Sequence, residues 1–216
     1  MSKIPVFDIG DTLVPSREFT SNIIQDELRQ RNQEVVPKFD PDVFMMYDPK
    51  QIQEYLNESN IEGDPEKLAE DCRERYIEAF EDLMLEYDVF NFLARCNEEF
   101  GTIGILSDNT LRAKKLLADL LDKHGVKYDT ILVSDEIGVE KPDPEIFKEF
   151  VDRRDEEASE FVYIGNDADR DSGALEAGMY FVWTTQFDTV NSGYEGTEIG
   201  KLSFKQLKKA IKQVEA

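Results

Sequence analysis

The sequence predicts an α/β fold: a parallel sheet with helices on both faces, interrupted near its start by a block of helices. Three observations predict it. From about residue 88 onward, short apolar runs alternate with amphipathic segments of helical length, the pattern of parallel strands joined by crossover helices. Ahead of this, residues 4–14 read as a short buried strand and a turn, while residues 15–86 carry mainly helical periodicity. A chain of 216 residues has room for one core domain with a smaller insert.

Each element has a local signal. The first run, "IPVF", is continuous and apolar, as a strand buried on both faces requires. "SREFTSNIIQDELRQR" is an amphipathic helix, followed by a short extended piece around Glu34–Val36. In "DPEKLAEDCRERYIEAFEDLMLEY", Leu68, Cys72, Ile77, Phe80, Leu83 and Met84 fall near a 3.6-residue period. Asp64 and Pro65 supply its N-cap and first helical residue. The helix "DVFNFLARCNEEFG" closes at Gly101 and leads to the strand "TIGILS". "NTLRAKKLLADLLDKHG" closes at Gly125 with Leu116, Leu117, Leu120 and Leu121 on one face. Then follow the strand "TILVS", the helix "DPEIFKEFVDRR", the strand "FVYIG", the helix "SGALEAG" and the strand "YFVWTT". "SFKQLKKAIKQVEA" is a last amphipathic helix. The division is therefore a core of residues 1–14 and 87–216 with a helical cap of residues 15–86, inserted on the sheet edge where open α/β folds place ligands.

Composition narrows the function. Hydrophobic content of 40% with 14 Phe and 8 Tyr supports a packed core. No stretch approaches the ~20 apolar residues of a membrane span, and charge and Pro interrupt the N-terminus where a signal peptide would be apolar. Cys72 and Cys96 lack metal-ligand spacing and read as reduced thiols, so the expected location is the cytoplasm. The net charge of −22 repels nucleic acid and anionic membranes, leaving a small molecule as the expected partner and a monomer or homodimer as the expected state. Such an excess of carboxylates is also what adaptation to high salt produces. On that reading the melting temperature rises with added KCl.

Four places at the C-terminal ends of the expected strands carry chemistry: Asp8, Ser107, Lys141, and "IGNDADRD" at residues 164–171. Singly, each has a plain explanation. Asp8 with Gly10 suits a turn, Ser107 and Asn109 suit helix caps, Lys141 suits a solvated loop, and the last run suits an acidic surface. Together they form a set. A strand-end carboxylate can attack phosphorus, a hydroxyl at a helix start can hold a phosphate oxygen, and an ammonium can neutralise both. A carboxylate-rich loop facing Asp8 suits Mg²⁺, which prefers oxygen ligands and keeps several waters. An anionic nucleophile reaches an anionic phosphate only when cations lie between them.

The order and content of these segments resemble the haloacid dehalogenase superfamily, in the branch with a helical cap after the first motif. "FDIGDTLV" resembles its first motif, Ser107 its second, Lys141 in "EKPDPEIF" its third, and "IGNDADRDSGALEAGM" its fourth. The resemblance implies a Rossmann-like core and Mg²⁺-dependent phosphomonoester hydrolysis through an aspartyl-phosphate on Asp8. It implies that Ser107, with Asp108, Asn109 and Lys141, binds the phosphoryl group of a small phosphorylated metabolite. It assigns the metal to Asp8, the Gly10 carbonyl and Asn166 or Asp167, with Asp171 holding a metal-bound water.

The chain departs from the family pattern in two places. Family phosphatases carry an acid/base Asp two residues after the nucleophile; here Gly10 stands there and Asp11 follows. Either Asp11 takes the role from a displaced loop, or the substrate has a good leaving group, as acyl, aryl and anomeric sugar phosphates do. In the fourth motif Asn166 replaces an Asp. Two other readings follow from the altered first motif. One is a metal-independent 2-haloacid dehalogenase with Arg17 at the halide; the other is a weakened protein that binds a phosphorylated ligand without turnover. Met45, Met46, Tyr47 and Asp48 are candidates to line the cap, with Phe44, Met45 and Met46 better read as core filler. His124 reads as a helix cap and Trp183 as packing.

Overall fold

Ile4–Phe7 (β1), Gly104–Ser107 (β2), Thr130–Val133 (β3), Phe161–Gly165 (β4), Tyr180–Thr184 (β5) and Thr197–Ile199 (β6) form one sheet in the order β3-β2-β1-β4-β5-β6. Every pairing is parallel. The computed structural model describes residues 3–33, 36–39 and 47–214. The expected extended piece at Glu34 and Val35, and the filler residues Phe44, Met45 and Met46, lie outside the described residues.

The continuous apolar strands are explained by two cores, one on each face. Phe7, Ile105, Ile164 and Val182 point to one core, while Val6, Leu106, Tyr163 and Phe181 point to the other. The first core is covered by Val89–Phe100, and by Leu111–Lys123 and Phe204–Val214 through Leu93, Leu121 and Leu207. The second is covered by Pro144–Asp152 through Ile146, Phe147 and Phe150. Strand order reverses at β1, which lies between β2 and β4. The carboxyl end of β1 is therefore the topological switch point, where such folds open a crevice.

Ser16–Gln30 (α1), Pro49–Glu58 (α2) and Pro65–Glu86 (α3) follow β1 and pack on one another through Ile24, Ile52, Leu56, Leu68 and Cys72. The buried stripe of α3 runs through Tyr76, leaving Ile77 partly buried, because Leu68, Cys72, Tyr76 and Phe80 are the strict four-residue series. Sequence reading passed over α2, although Asp48 caps it at Lys50 N with Pro49 in its first turn. The same Asp-Pro start opens α3 and Pro144–Asp152. Tyr47 faces the core, its hydroxyl donating to Thr20 O, so neither it nor the capping Asp48 is a cap lining. Thr110, not Ser107 or Asn109, caps Leu111–Lys123 by accepting from Ala113 N. The helix expected at residues 172–178 is shortened to Gly173–Glu176 and preceded by a separate turn of helix, Ala168–Asp171, and β6 is an unexpected short edge strand. His124 does more than end its helix: its ring stacks on Phe90 and its Nε2 lies 2.7 Å from Glu81 of α3.

Among the described residues no helix is long and apolar enough to cross a membrane. Both cysteines are free and buried, and burial pushes each thiol up to about 12. Native protein is therefore expected to release no thionitrobenzoate from an aromatic disulfide reagent at pH 8, and two equivalents once unfolded.

Candidate functional site

Asp8 is the first residue beyond β1, and its N–H donates to Ile164 O at 2.9 Å. That bond extends the strand pairing by one step and holds the carboxylate at the switch point. Asp8 is 6% exposed. Its Oδ2 lies 3.2 Å from Lys141 Nζ, while its buried Oδ1 has no hydrogen-bond partner among the described residues. A buried carboxylate oxygen left bare is costly, and it marks a place for a ligand.

Lys141 is aimed by its own backbone. Its N–H donates to Asp108 Oδ1 at 3.0 Å, and a cis bond joins it to Pro142. Its ammonium is buried and makes three contacts: Asp171 Oδ1 at 2.7 Å, Tyr163 OH at 3.0 Å and Asp8 Oδ2 at 3.2 Å. Burial works against its charge, but Asp171 and then Asp8 outweigh it and hold Lys141 well above its ordinary value. Asp171 is fully buried, with Oδ2 accepting from Asp167 N at 3.0 Å. Burial pushes the Asp171 carboxyl upward against the pull of Lys141. A side chain at Gly165 would lie 2.0 Å from Asp171 Oδ2, so the carboxylate occupies space that only glycine leaves open.

Ser107 ends β2 beside β1; it is buried, and its Oγ makes no hydrogen bond among the described residues. Asp108 is a staple: its second oxygen accepts from Arg170 at 2.8 Å, and burial raises its carboxyl despite Lys141 and Arg170. Asn109 is turned inward, with its N–H on Ser134 Oγ and its Oδ1 accepting from Thr110 N.

The loop after Asp8 carries the departures. Asp11 has φ 53°, a left-handed conformation that Asp tolerates better than most residues. Its Oδ1 accepts from Arg17 N at 3.2 Å, and Arg17 also pairs with Asp188 at 3.3 Å. Burial pushes the Asp11 carboxyl up to about 6, with the Asp8 charge adding to it. Asp11 lines a cavity of about 650 Å³ together with Arg17, Ser21, Asn22, Gln186 and Asp188. Asn166 accepts from Thr12 Oγ1 at 3.2 Å and donates to Asp188 O at 2.8 Å. Asp167 caps the short helix Ala168–Asp171 through Asp169 N and Arg170 N.

Of the residues expected from the sequence, Asp8, Lys141 and Asp171 are in direct contact, Asp108 is tied to Lys141, and Ser107 and Asp11 flank Asp8. Asn109 and Asp167 are engaged in local caps and turns. Sequence reading missed Tyr163, whose hydroxyl bridges Lys141 Nζ and Leu106 O. A tyrosine inside a fully buried strand was the signal, because its hydroxyl must find a partner. It also missed Arg170, Thr12 and the anchoring of Asn166 O by Trp183 Nε1 at 2.8 Å.

Two oxygens here stand without a partner among the described residues, Asp8 Oδ1 and the Gly10 carbonyl, whereas Asn166 Oδ1 accepts from Thr12 and Asp167 Oδ1 caps Ala168–Asp171. Among the described residues, no three His, Cys, Asp or Glu side chains form a ready metal cage. So few protein oxygens suit only an ion that keeps most of its waters, as Mg²⁺ does.

Residues 5–184 match the haloacid dehalogenase-like hydrolase family. A glyceraldehyde 3-phosphate phosphatase from Methanopyrus kandleri is 27% identical over 207 residues, covering 84% of this chain and 83% of that protein. Two solved structures share the fold. A 2-haloacid dehalogenase from Pseudomonas syringae is 21% identical with a TM-score of 0.62, over 99% of this chain and 100% of the other. CbbY from Rhodobacter sphaeroides, in complex with phosphate, is 15% identical with a TM-score of 0.66, over 96% of each chain.

Proposed function

The chain belongs to the haloacid dehalogenase-like hydrolases, and from that premise we propose that it is a Mg²⁺-dependent phosphomonoesterase acting on a small phosphorylated metabolite in the cytoplasm. The observation that carries the reading is the Asp8 carboxylate at the switch point, with one oxygen against Lys141 and the other bare.

The Asp8 carboxylate attacks phosphorus, forming an aspartyl-phosphate as the ester P–O bond breaks. Lys141 neutralises charge on Asp8 and on the phosphoryl oxygens, and Tyr163 and Asp171 hold the ammonium in place. Ser107 Oγ and the Asp108 N–H donate to the phosphoryl group. Asp11 gives its proton to the departing alkoxide and then takes one from the water that hydrolyses the acyl-phosphate. Mg²⁺, held by Asp8, the Gly10 carbonyl and Asn166 or Asp167, would offset the repulsion between carboxylate and phosphate. Asp171 acts through Lys141 and the Asp167 N–H. Residues 15–86 form the cap over residues 1–14 and 87–216.

A dehalogenase would need Arg17 in an apolar halide pocket, whereas Arg17 lies between Asp11 and Asp188. EDTA separates the two readings. Phosphate release from a panel of esters should require Mg²⁺ and stop with the chelator, and release that survives EDTA would refute the proposal. Beryllofluoride with Mg²⁺ should form an adduct on Asp8; its absence, with no ester turned over, would favour ligand binding without catalysis.

The role of Asp11 makes a separate prediction. A positioned acid contributes ~10²–10⁴-fold, and most where the leaving group is poor. Asp11→Asn should slow an alkyl phosphate by about 10²-fold or more and acetyl phosphate by less than about tenfold. Equal rates for variant and parent on the alkyl ester would remove Asp11 from the mechanism.

A further inference from the structure

Lys141 is held at both ends through neighbouring residues of one short turn, Ala168–Asp171. At its head, Asp171 Oδ1 accepts from the ammonium at 2.7 Å. At its root, the Lys141 N–H donates to Asp108 Oδ1 at 3.0 Å, and Arg170 Nη2 donates to the other oxygen of that carboxylate at 2.8 Å. Glu140 lies 3.5 Å from the same nitrogen, but its side chain is half exposed and competes weakly. Asp167 fixes the turn: its Oδ1 accepts from Arg170 N, and its own N–H donates to Asp171 Oδ2. Arg170 and Asp171 are therefore set in place together.

The Asp108 carboxylate is an awkward neighbour for a phosphoryl group. Its side chain is 11% exposed, and it directly follows Ser107. Burial raises its carboxyl, Lys141 and Arg170 pull it down, and the Asp8 charge raises it again. An anion that feels Asp8 also feels the phosphoryl group that Asp8 attacks. Lys141 already faces Asp8 and Asp171, which leaves Arg170 as the cation committed chiefly to Asp108. We propose that Arg170 is a positioning residue of the phosphoryl site. It offsets the charge of Asp108 and locks that carboxylate against the Lys141 backbone, so that a phosphoryl group meets the Asp108 N–H and not an uncompensated anion. This rests on the phosphatase reading and adds to it a residue that touches no reacting atom. Without the guanidinium, Asp108 keeps only its bond to Lys141 N, and its charge opposes every phosphoryl group that enters. Substrate, transition state and released phosphate are opposed alike, so the loss falls on binding and not on the chemical step. A guanidinium that serves only as a surface ion pair would move neither.

The test measures kcat and KM for acetyl phosphate with Mg²⁺ present, and Ki for inorganic phosphate as a competitor. Arg170→Met should raise KM and Ki by about tenfold or more, because a like charge is left facing the ligand. Its kcat should stay within about threefold of the parent. Arg170→Lys keeps the charge and should hold all three constants within about threefold. Adding Asp108→Asn to Arg170→Met removes the uncompensated anion and should recover most of the loss in KM and Ki. Asn still accepts from Lys141 N, so a purely structural role for Arg170 would show no such recovery and would lower kcat instead. Urea unfolding checks that Arg170→Met is folded, and Arg170→Gln carries the same expectations if it is not. Unchanged KM and Ki, or a loss that Asp108→Asn leaves in place, overturns the inference while the phosphatase stands. If the parent neither turns over acetyl phosphate nor binds inorganic phosphate, the phosphatase reading fails first and this one with it.

Discussion

Asp8→Asn is expected to reduce phosphate release from every ester to background, a loss of at least about 10⁴-fold, because removing a nucleophile removes the covalent route itself. The amide keeps the shape of the side chain but has no anionic oxygen to offer phosphorus. The fold should survive. Lys141 keeps Asp171 at 2.7 Å and Tyr163 at 3.0 Å, so no buried charge is stranded. The denaturant midpoint should correspond to a stability within about 1 kcal/mol of the parent. The variant should also form no beryllofluoride adduct by intact-mass measurement. Retention of more than a hundredth of parental activity would take the nucleophile away from Asp8.

Lys141→Met is expected to fail in both activity and stability. The substitution roughly keeps the length of the side chain but removes the ammonium that faces Asp8, Asp171 and Tyr163. Two carboxylates are then left in a buried site without their countercharge, and breaking such a pair costs about 3–5 kcal/mol. Loss of the charge that meets the phosphoryl oxygens should lower kcat by about 10²–10³-fold or more. Urea unfolding and phosphate release measure the two effects separately. Adding Asp171→Asn should recover part of the stability and none of the activity, a coupling that a double-mutant cycle reads. Unchanged stability in Lys141→Met would mean that the cluster does not carry the charges assigned to it.

The candidate site was legible where a chemically apt residue coincides with a strand end. Asp8, Ser107 and Lys141 each break an apolar or helical pattern with a residue whose type has few uses there, and the strand alternation fixed which edge they share. Asp171 was legible as a member of an acidic run, but its partner was not. Only the fold brings its carboxylate to Lys141 and into the space left by Gly165. The helix α2 could have been read from Asp48-Pro49, since the same pair marked α3; the apolar run before it drew the stretch toward a loop. The strand β6 is three residues long and polar in part, so period-2 patterning has too little length to register. The bond from Asn166 to Asp188 O spans 22 residues and joins two loops, and no local rule predicts it.

Lys141 has three N–H groups and three partners already in place. A substrate arriving in its relaxed form can draw only on a hydrogen that some other oxygen must give up, so tight retention of ester or of released phosphate gains little from this lysine. The five-coordinate arrangement midway through transfer places more negative charge beside it and can outbid the resting partners. An ammonium satisfied in advance thus favours passage over storage.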